Sequence, residues 1–411
     1  MIENEMDSRG IQRHIPTLVS LWRGNGRKER LDKKEISALS SSLLKLQRGL
    51  TGERKMAGGR YMSEKDTFGS YLLYYFPVSY LQVQTILDFI HSNGNRNNDN
   101  KIEEIAKKDE IGILEIGSGP APGTTALCDR ILSLNKNAKI SVSLCDTSER
   151  AMQTAKKILE SDFENVSVET KKADLEKNGL GTFGKKPAKF DIVLMSHVLN
   201  ELWKKDGDKI QKRLSFIKAQ AEKLSENGIL ILNEPAMLES SRNLIKIRDE
   251  ILGSEAFRGM NLVAPCPFSG SKKCPALLSE KQTCHAEKMW KPVEPVMSLA
   301  KAAGLDRESV KMCFFVFQKS STQANESLKE GGKSPLTVVS DGMLNKSGRI
   351  RFMLCDGGKR FSLSAKKDDK HAKEIGFFGL RRYDKIRIEN PEIREGNFGV
   401  AGNTEIFKED F

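Results

Sequence analysis

The stretch that decides the fold is "LEIGSGPAPGTTAL", residues 114–127. Its first residues are typical of a buried strand, its last residues favour a helix, and Gly117, Gly119 and Gly123 lie between them. The first two glycines allow the backbone to turn tightly beneath a ligand, and the third permits close approach at the helix start. The spacing is one residue longer than the dinucleotide-binding fingerprint. The stretch therefore predicts a nucleotide-type site, and NAD fits it poorly.

On both sides of this loop the chain alternates between apolar strands and amphipathic helices. The strand candidates are residues 112–117, 139–146, 165–174, 190–197 and 228–235. The helix candidates are residues 124–134, 148–161 and 209–225. Near-continuous Val, Ile and Leu strands between helices predict an α/β, Rossmann-like parallel sheet that is covered on both faces.

Acidic residues follow the ends of the first strands. Glu115 precedes the glycine loop, Asp146 closes the second strand and Asp174 closes the third. In such folds ligands bind at the carboxyl ends of the strands. A carboxylate at Asp146 can accept hydrogen bonds from both ribose hydroxyls, and one at Asp174 can reach an adenine amino group.

As a set, these residues and "SHVLNEL" (196–202) resemble class I S-adenosylmethionine-dependent methyltransferases over residues 105–250. The resemblance implies a seven-stranded sheet with S-adenosyl-L-methionine across the carboxyl ends of strands one to four. The cofactor-binding residues that it implies are Glu115, Gly117, Ser118, Gly119, Asp146, Asp174, Ser196 and His197. The chain departs from the family at Ala121, where many such enzymes have a third glycine, and Pro120 and Pro122 stiffen the loop.

No catalytic residue is identified from the sequence. Amino-methylating enzymes of this class usually have an Asn/Asp-Pro-Pro-aromatic motif after strand four, whereas this chain has "SHVLNELW". His197 and Glu201 could act as general bases, although a buried His and a helix-capping Glu are more common roles. Cys266 in "APCPF" superficially offers a nucleophile, but two further cysteines nearby favour ligation instead. Whether the chain is an active enzyme stays open.

Three of the seven cysteines, Cys266, Cys274 and Cys284, lie within residues 264–290. The N-terminus lacks the apolar core of a secretory signal, and no apolar run approaches the ~20 residues of a membrane span. A reducing, cytoplasmic location without membrane contact is therefore predicted, where clustered cysteines are thiols or metal ligands. The long gaps lack the Cys-x2-Cys knuckle of structural zinc and suit an iron–sulfur cluster, which commonly takes four cysteines.

The fourth ligand has to come from elsewhere in the chain. Cys128 and Cys145 lie in the predicted sheet domain and are interpreted as core residues. Cys313 lies in an apolar strand and is interpreted in the same way. Cys355 stands at a strand end before a Gly-Gly turn, an accessible place for a ligand. The prediction is Cys355, with Cys313 as the alternative.

The order of methyltransferase-like core, cysteine segment and "RFMLCDGGKR" (351–360) resembles the methyltransferase-like small-ribosomal-subunit proteins. That family includes a mitochondrial assembly factor, its fungal counterpart and bacterial relatives, and "RGLTGERKMAGGRYM" (48–62) fits its N-terminal helices. The resemblance implies a [4Fe–4S] cluster on Cys266, Cys274, Cys284 and Cys355, and binding near the mRNA path of the small subunit. The gaps between cysteines are about two residues wider than usual, and Thr283 replaces an aromatic residue. Zinc is therefore the alternative metal.

The net charge of +12 is concentrated at two places. Residues 1–60 contain 13 Lys or Arg against 7 Asp or Glu, and residues 311–385 contain 16 against 8. Such excesses suit a polyanion such as ribosomal RNA. The side chains predicted to bind it are Lys359, Arg360, Arg381 and Arg382.

Four regions are predicted along the chain. They are an N-terminal helical domain (1–91), a linker (92–104), a class I methyltransferase-like domain (105–325) that includes the cysteine segment 262–290, and a basic β-barrel-like or open-sheet domain (335–411). The predicted function is that of an S-adenosylmethionine-binding, iron–sulfur protein, monomeric when free. It would bind the RNA of the small ribosomal subunit as an assembly or translation factor. The alternatives are an active methyltransferase on ribosomal RNA or protein, and a zinc-containing RNA-binding protein with a vestigial cofactor pocket.

Overall fold

The computed structural model describes residues 9–27, 30–49, 64–94, 101–177, 179–181, 183, 189–266, 273–321 and 335–409. The chain divides into two compact units. The first unit contains Met1–Glu234 and Lys288–Val310, and the second contains Pro235–Glu287 and Lys311–Phe411. Among the described residues, no helix combines the length and the apolar character that crossing a membrane requires.

The first unit begins with helices, as the sequence predicts. They are α1 (Arg9–Arg23), α2 (Lys33–Gln47), α3 (Lys65–Ser70), a π-helical turn (Tyr71–Tyr75), α4 (Phe76–Gly94) and α5 (Lys101–Ala106). The apolar face of α2 is fully buried at Leu39, Leu43 and Leu46. The π-helical turn lies just before Pro77, which stands in the first turn of α4, where a missing N–H is tolerated.

The sequence predicts a linker at residues 92–104, but α4 continues to Gly94 because its apolar face is buried up to Ile90 and supports one more turn. The α5 helix then starts at Lys101. Residues 50–62 of the segment quoted for the family resemblance, Tyr61 among them, lie outside the described residues.

Five parallel strands form the sheet of the first unit in the order β3-β2-β1-β4-β5. Their bounds are β1 (Glu110–Ile116), β2 (Lys139–Asp146), β3 (Val166–Lys172), β4 (Phe190–Ser196) and β5 (Leu224–Glu234). The helices between them are α6 (Pro122–Leu134), α7 (Glu149–Asp162) and α8 (Lys209–Ala221). The order reverses between β1 and β4, so that their carboxyl ends mark the crevice where such sheets bind ligands. The class I methyltransferase-like fold that the sequence predicts is confirmed.

Beyond Glu234 the α/β pattern continues. The elements are α9 (Leu238–Gly253), β6 (Met260–Ala264), β7 (Ala286–Met289), α10 (Val296–Ala303) and β8 (Ser309–Lys319). In the second unit β6 pairs antiparallel with β8, with Leu262 opposite Phe317. The helix α10 belongs to the first unit and packs against α2. Short 3-10 turns lie at Glu255–Phe257 and Pro275–Leu278.

The second unit also contains a separate, mostly antiparallel sheet in the order β14-β15-β12-β11-β9-β13-β16. Its strands are β9 (Leu336–Val338), β10 (Met343–Leu344), β11 (Arg349–Cys355), β12 (Arg360–Lys366), β13 (Lys385–Glu389), β14 (Glu392–Arg394), β15 (Asn397–Gly399) and β16 (Glu405–Glu409). The short helix α11 (Lys370–Glu374) and a 3-10 turn (Phe377–Gly379) cover one face, where Phe352, Leu363 and Phe377 form a core. Because the order has two ends, the described strands form the open sheet of the prediction.

Candidate functional site

The glycine loop between β1 and α6 is tied to β2 by its backbone. The N–H groups of Gly117 and Ser118 both donate to the carbonyl oxygen of Cys145, at 2.8 and 3.0 Å. Gly117 has φ +68°, and a Cβ atom there would lie 2.6 Å from the Cγ2 atom of Val198. Glycine is therefore required at Gly117 both by conformation and by space. Ala121, directly before α6, also has left-handed backbone angles, φ 61° and ψ 48°.

Glu115 lies beneath this loop. It is 2% exposed, and its Oε2 atom accepts hydrogen bonds from the N–H of Thr124 at 3.0 Å and from its hydroxyl at 2.6 Å. Burial raises the pKa of Glu115 to about 7, although the two bonds from Thr124 favour the ionised form. Glu115 thus fastens the first turn of α6 to the end of β1.

Asp146 closes β2 and joins two loops. Its Oδ2 atom accepts from the N–H of Gly119 at 2.8 Å and its Oδ1 atom accepts from the N–H of Ser148 at 2.7 Å. Burial raises the pKa of Asp146, while these backbone hydrogen bonds act in the opposite direction. The backbone and the side chain of Thr147 also donate to this carboxylate, so a ribose hydroxyl would have to share or replace one of these bonds.

Ser196 and His197, at the end of β4, belong to a buried polar network. The fully buried Asn233 of β5 donates to the Ser196 hydroxyl at 3.0 Å and to the Gln82 side-chain oxygen at 3.3 Å. The Nε2 atom of His197 lies 2.6 Å from that same Gln82 oxygen. Loss of hydration lowers the pKa of His197 to about 4, so the neutral ring donates to Gln82 at pH 7. His197 is therefore poorly suited to act as a general base.

Asp174 lies in the loop after β3 and has other partners. Its side chain is 40% exposed and forms an ion pair with Lys177 at 3.1 Å. The hydrogen bond from Lys177 is the main cause that lowers the pKa of Asp174. Asp174 also accepts from the N–H of Glu176 at 3.2 Å. Within the part of the chain that the structure describes, it shares no hydrogen bond with the other predicted site residues.

Sequence reasoning misses Tyr71, in the π-helical turn. Burial is the main cause that raises its pKa, and the charges of Asp146, Glu201 and Glu115 add to the effect, which places the phenol among these three carboxyl groups. Its hydroxyl lies 3.8 Å from where a Cβ atom of Gly119 would be. The only sequence signal is the "YLLYY" stretch (71–75), whose aromatic pattern favours a core role.

Glu201 enters the sequence prediction only as one possible base. Burial, followed by the charge of Asp146, raises the pKa of Glu201 to about 7. With Glu115 and Asp146 it makes the carboxyl edge of the sheet a carboxylate-rich site. Such a site favours a cationic ligand, and a group with a pKa near 7 can also exchange protons at neutral pH.

The four cysteines predicted as ligands all lie in the second unit. Burial is the main cause that raises the pKa of Cys266, and the charges of Cys274, Cys284 and Cys355 raise it further. The four thiols are therefore electrostatic neighbours. Burial likewise raises the pKa of Cys274 to about 12 and that of Cys355 to about 11. Burial thus favours the neutral thiol, and ligation as thiolates would require the positive charge of a metal ion.

Cys355 differs from the expectation in its exposure. The sequence predicts an accessible thiol, but Cys355 is only 9% exposed and lies close to Cys284 and Arg360. Its Sγ atom accepts a hydrogen bond from the N–H of Gly357 at 3.3 Å. The Sγ atom of Cys284 lies 3.2 Å from the hydroxyl of Tyr383. Cys128, Cys145 and Cys313 are at most 1% exposed, and their assignment as core residues is confirmed.

The surroundings of the cysteines contain unsatisfied polar atoms. Arg248 is 1% exposed and donates through Nη1 to Asp249, but its Nε has no hydrogen-bond partner among the described residues. The same holds for Thr283 Oγ1, His285 Nδ1 and Arg360 Nε. In the described ranges, no three His, Cys, Asp or Glu side chains are arranged to hold a metal ion. The four cysteines are therefore a candidate donor set with one buried cation beside it, and the spacing of the side chains is not that of a closed ligand set.

Comparisons with known proteins find one matching family and several solved structures with a similar fold. A family model described as mitochondrial small ribosomal subunit Rsm22 matches residues 68–370. No curated protein matches the chain. MNMC2 from Aquifex aeolicus is 16% identical to this chain, with a TM-score of 0.27. The match covers 39% of this chain and 51% of MNMC2, so the chain spans about half of that protein.

Two further solved structures are similar. A protein from Listeria monocytogenes assigned as a class I S-adenosylmethionine-dependent methyltransferase is 10% identical, with a TM-score of 0.33 and coverage of 72% of this chain and 90% of that one. An O-methyltransferase family protein from Burkholderia thailandensis is 12% identical, with a TM-score of 0.34 and coverage of 69% and 72%. The fold assignment rests on the strand order described above.

Proposed function

The chain belongs to the mitochondrial small ribosomal subunit Rsm22 family, and from that membership we propose that it binds the RNA of the small ribosomal subunit as an assembly or translation factor. The observation that supports this proposal is the family match over residues 68–370. Together with the methyltransferase-like fold, this family match favours a protein that has a cofactor site and associates with the small subunit.

We propose S-adenosyl-L-methionine as the ligand of the carboxyl edge of the sheet. The carboxylate of Asp146 suits the hydroxyls of a ribose, and Glu115 fixes the loop that approaches the ligand. The carboxyl groups of Asp146 and Glu201 suit the positive charges of the sulfonium and ammonium groups. The other members of the predicted set are Gly117, Ser118, Gly119, Asp174, Ser196 and His197. When bound, the cofactor supplies an electrophilic methyl group.

An active methyltransferase is the second candidate, and Glu201 is the observation that favours it. A carboxyl group with a pKa of about 7 beside Asp146 can accept a proton from a methyl acceptor at neutral pH. His197 cannot take this role while its ring donates to Gln82. Methyl transfer to purified small subunits, lost in Glu201→Gln at S-adenosylmethionine concentrations that saturate the variant, would support this candidate.

For the second unit we propose a [4Fe–4S] cluster on Cys266, Cys274, Cys284 and Cys355, with zinc as the alternative. Four thiolate ligands give either centre a net negative charge, which the buried Arg248 is placed to offset. Closing the ligand set requires the thiols to move from their present positions, and metal binding supplies folding free energy for such a change.

The remaining expectations about the protein's context are proposals too. The family's description names mitochondria, whereas the sequence predicts a cytoplasmic protein that is monomeric when free. Fractionation of cells that express the tagged chain distinguishes the two compartments. The division into four regions, with boundaries at residues 91, 104, 325 and 335, is also a proposal.

The proposal is tested by two measurements on the purified full chain. Isothermal calorimetry should show binding of S-adenosylmethionine. Sucrose-gradient sedimentation with purified small ribosomal subunits should show co-migration that high salt removes. A chain that binds the cofactor but does not co-migrate with small subunits would overturn the ribosomal function and leave the cofactor assignment intact.

A further inference from the structure

The separate sheet of the second unit has one face on its core, and its other face is exposed at Arg351 and Lys366 but buried at Cys355. Successive side chains of a strand point to opposite faces. In β11 Phe352 and Leu354 are buried, whereas Arg351, which precedes them, is exposed. Arg349 has the same parity as Arg351, and the register pairs it with Lys366 of β12. Three basic side chains therefore share the solvent face of two adjacent strands.

The same face continues onto β15 and β14. Ser364, which is opposite Arg351, also pairs with Gly399 of β15. A Cβ atom at Gly399 would lie 2.8 Å from the Nε atom of Arg394, so the Arg394 side chain lies across the sheet above this glycine. Arg394 is the main cause that lowers the pKa of Glu392, and the charge of Arg349 contributes. Arg349 and Arg394 are thus close to the same acidic side chain.

The cations of this face differ in whether they already have partners. Arg349 donates to the carbonyl oxygen of Ser364 at 3.0 Å, and Arg394 pairs with Glu392. The side chains of Arg351 and Lys366 have no hydrogen-bond or ion-pair partner in the described part of the chain. On a rigid sheet such groups stand about 5–7 Å apart. An array of cations at that spacing is suited to consecutive phosphates of a nucleic acid.

Two of the basic residues singled out from the sequence are bound within the protein instead. Arg360 donates to the side-chain oxygen of Gln282 and to the carbonyl oxygen of Thr283, both at 3.0 Å. Arg382 donates to the carbonyl oxygen of Val339 at 2.8 Å and forms an ion pair with Asp341 at 3.0 Å. Their hydrogen bonds hold loops in place, which leaves less of their donor capacity for phosphate.

We propose that Arg349, Arg351, Lys366 and Arg394 form the surface on which this chain binds the phosphate backbone of RNA. This inference rests on the proposed RNA-binding function and names its site. A protein partner is disfavoured by the chemistry of the face. Leu344 and Ile393, the most exposed apolar side chains of the neighbouring strands, are in register with residues of the opposite face, whereas Met343, opposite Arg351 and 38% exposed, shares this face.

The test uses the full chain and purified small-subunit ribosomal RNA, with binding measured over a series of salt concentrations. The variant Arg351→Ala/Lys366→Ala removes the two unpartnered cations. The control Lys218→Ala/Lys246→Ala removes two exposed cations from α8 and α9. Removing one cation that neutralises a phosphate lowers the slope of log K against log salt by about 0.7 for single strands. The face variant should therefore have a slope smaller by about 1.4 and bind several-fold more weakly, while the control keeps both values.

Three other results would overturn the inference. If the unmodified chain binds the RNA and the face variant binds like the control, the surface is wrong and the proposed function stands. If the unmodified chain binds neither the RNA nor intact small subunits, the proposed function and the surface fail together. If only intact small subunits are bound, and the face variant binds them as the unmodified chain does, the surface is wrong and another part of the chain makes the contact. Thermal unfolding of all variants confirms that they are folded.

Discussion

The carboxylate of Asp146 accepts a hydrogen bond from the backbone N–H of Gly119 at 2.8 Å. The end of β2 is thereby joined to the glycine loop that follows β1. One side chain thus shapes the loop at the edge of the sheet where we propose that the cofactor binds.

Asp146→Ala should weaken S-adenosylmethionine binding, because two hydroxyls lose a charged acceptor that contributes about 1.5–3 kcal/mol. Calorimetry should show a Kd roughly 10- to 100-fold higher. The control is Asp109→Ala, an exposed carboxylate that precedes β1 at the opposite edge of the sheet. Equal affinities for the two variants would show that Asp146 does not contact the ligand.

Glu115→Gln should change how stability depends on pH. The pKa of Glu115 is about 7 in the folded chain against 4.5 ordinarily, so the folded state holds its proton more tightly. Its stabilising contribution is full below pH 4.5 and is lost as the pH rises through about 7, by about 3 kcal/mol at most. Between pH 5 and pH 8, the free energy of unfolding measured in urea should therefore fall less for the variant than for the unmodified chain. Glu110→Gln, exposed on the same strand, should keep the full fall.

Ala121→Gly should relieve the left-handed backbone angles at residue 121, which disfavour alanine by about 1–2 kcal/mol. Ala126→Gly in α6 is the matched control, because both methyl groups are fully buried and only Ala126 is helical. The free energy of unfolding should be at least about 1 kcal/mol higher for Ala121→Gly than for Ala126→Gly. Similar values for the two variants would mean that Ala121 is not strained.

His14→Gln should loosen α1 in a pH-dependent way. His14 is fully buried, with Nδ1 at 2.6 Å from Asp162 and Nε2 at 2.9 Å from Asp129. Burial opposes its charge, but these carboxylates outweigh burial and raise its pKa above 6.5. The stability from this pair is present below pH 6.5 and is lost as the pH rises through the folded pKa. The variant should therefore be destabilised more at pH 6 than at pH 9. Thr17→Val, which removes only a hydroxyl bond to Asp162, should show no such difference.

Replacing Cys266, Cys274, Cys284 or Cys355 by Ser should remove metal from anaerobically purified protein and destabilise the second unit. The same change at Cys128, Cys145 or Cys313 should leave the metal content unchanged, since these thiols are core residues. Iron, sulfide and zinc analysis gives the readout. One zinc and no iron would show that the metal is zinc and not an iron–sulfur cluster. Metal loss in Cys313→Ser but not in Cys355→Ser would show that Cys313 is the fourth ligand.

The sequence predicts those parts of the molecule that depend on local pattern. Strands such as β2 match to the residue, and Asp146 stands at the end of its strand as predicted, because apolar runs and glycine spacing act over a few residues. Tyr71 and Gln82 are missed because they reach the site through tertiary packing. Gln82, for instance, is 115 residues from His197. The same limit explains why the internal hydrogen bonds of Arg360 and the burial of Cys355 were not predicted. The sequence gives the charge of Arg360 and the chemistry of Cys355, but neither the partners of the one nor the burial of the other.

The chain passes between its two units three times, at Glu234, Glu287 and Val310. The helix α10, which packs on α2, is therefore synthesised only after the first segment of the second unit has left the ribosome. Early in synthesis the apolar face of α2 lacks this partner, and chaperones that recognise apolar surface can bind it. Expression of residues 1–234 alone would leave the same face uncovered and should give aggregation-prone material. Separating the units for biophysical work calls for a circular permutation or a bridging linker rather than a simple truncation.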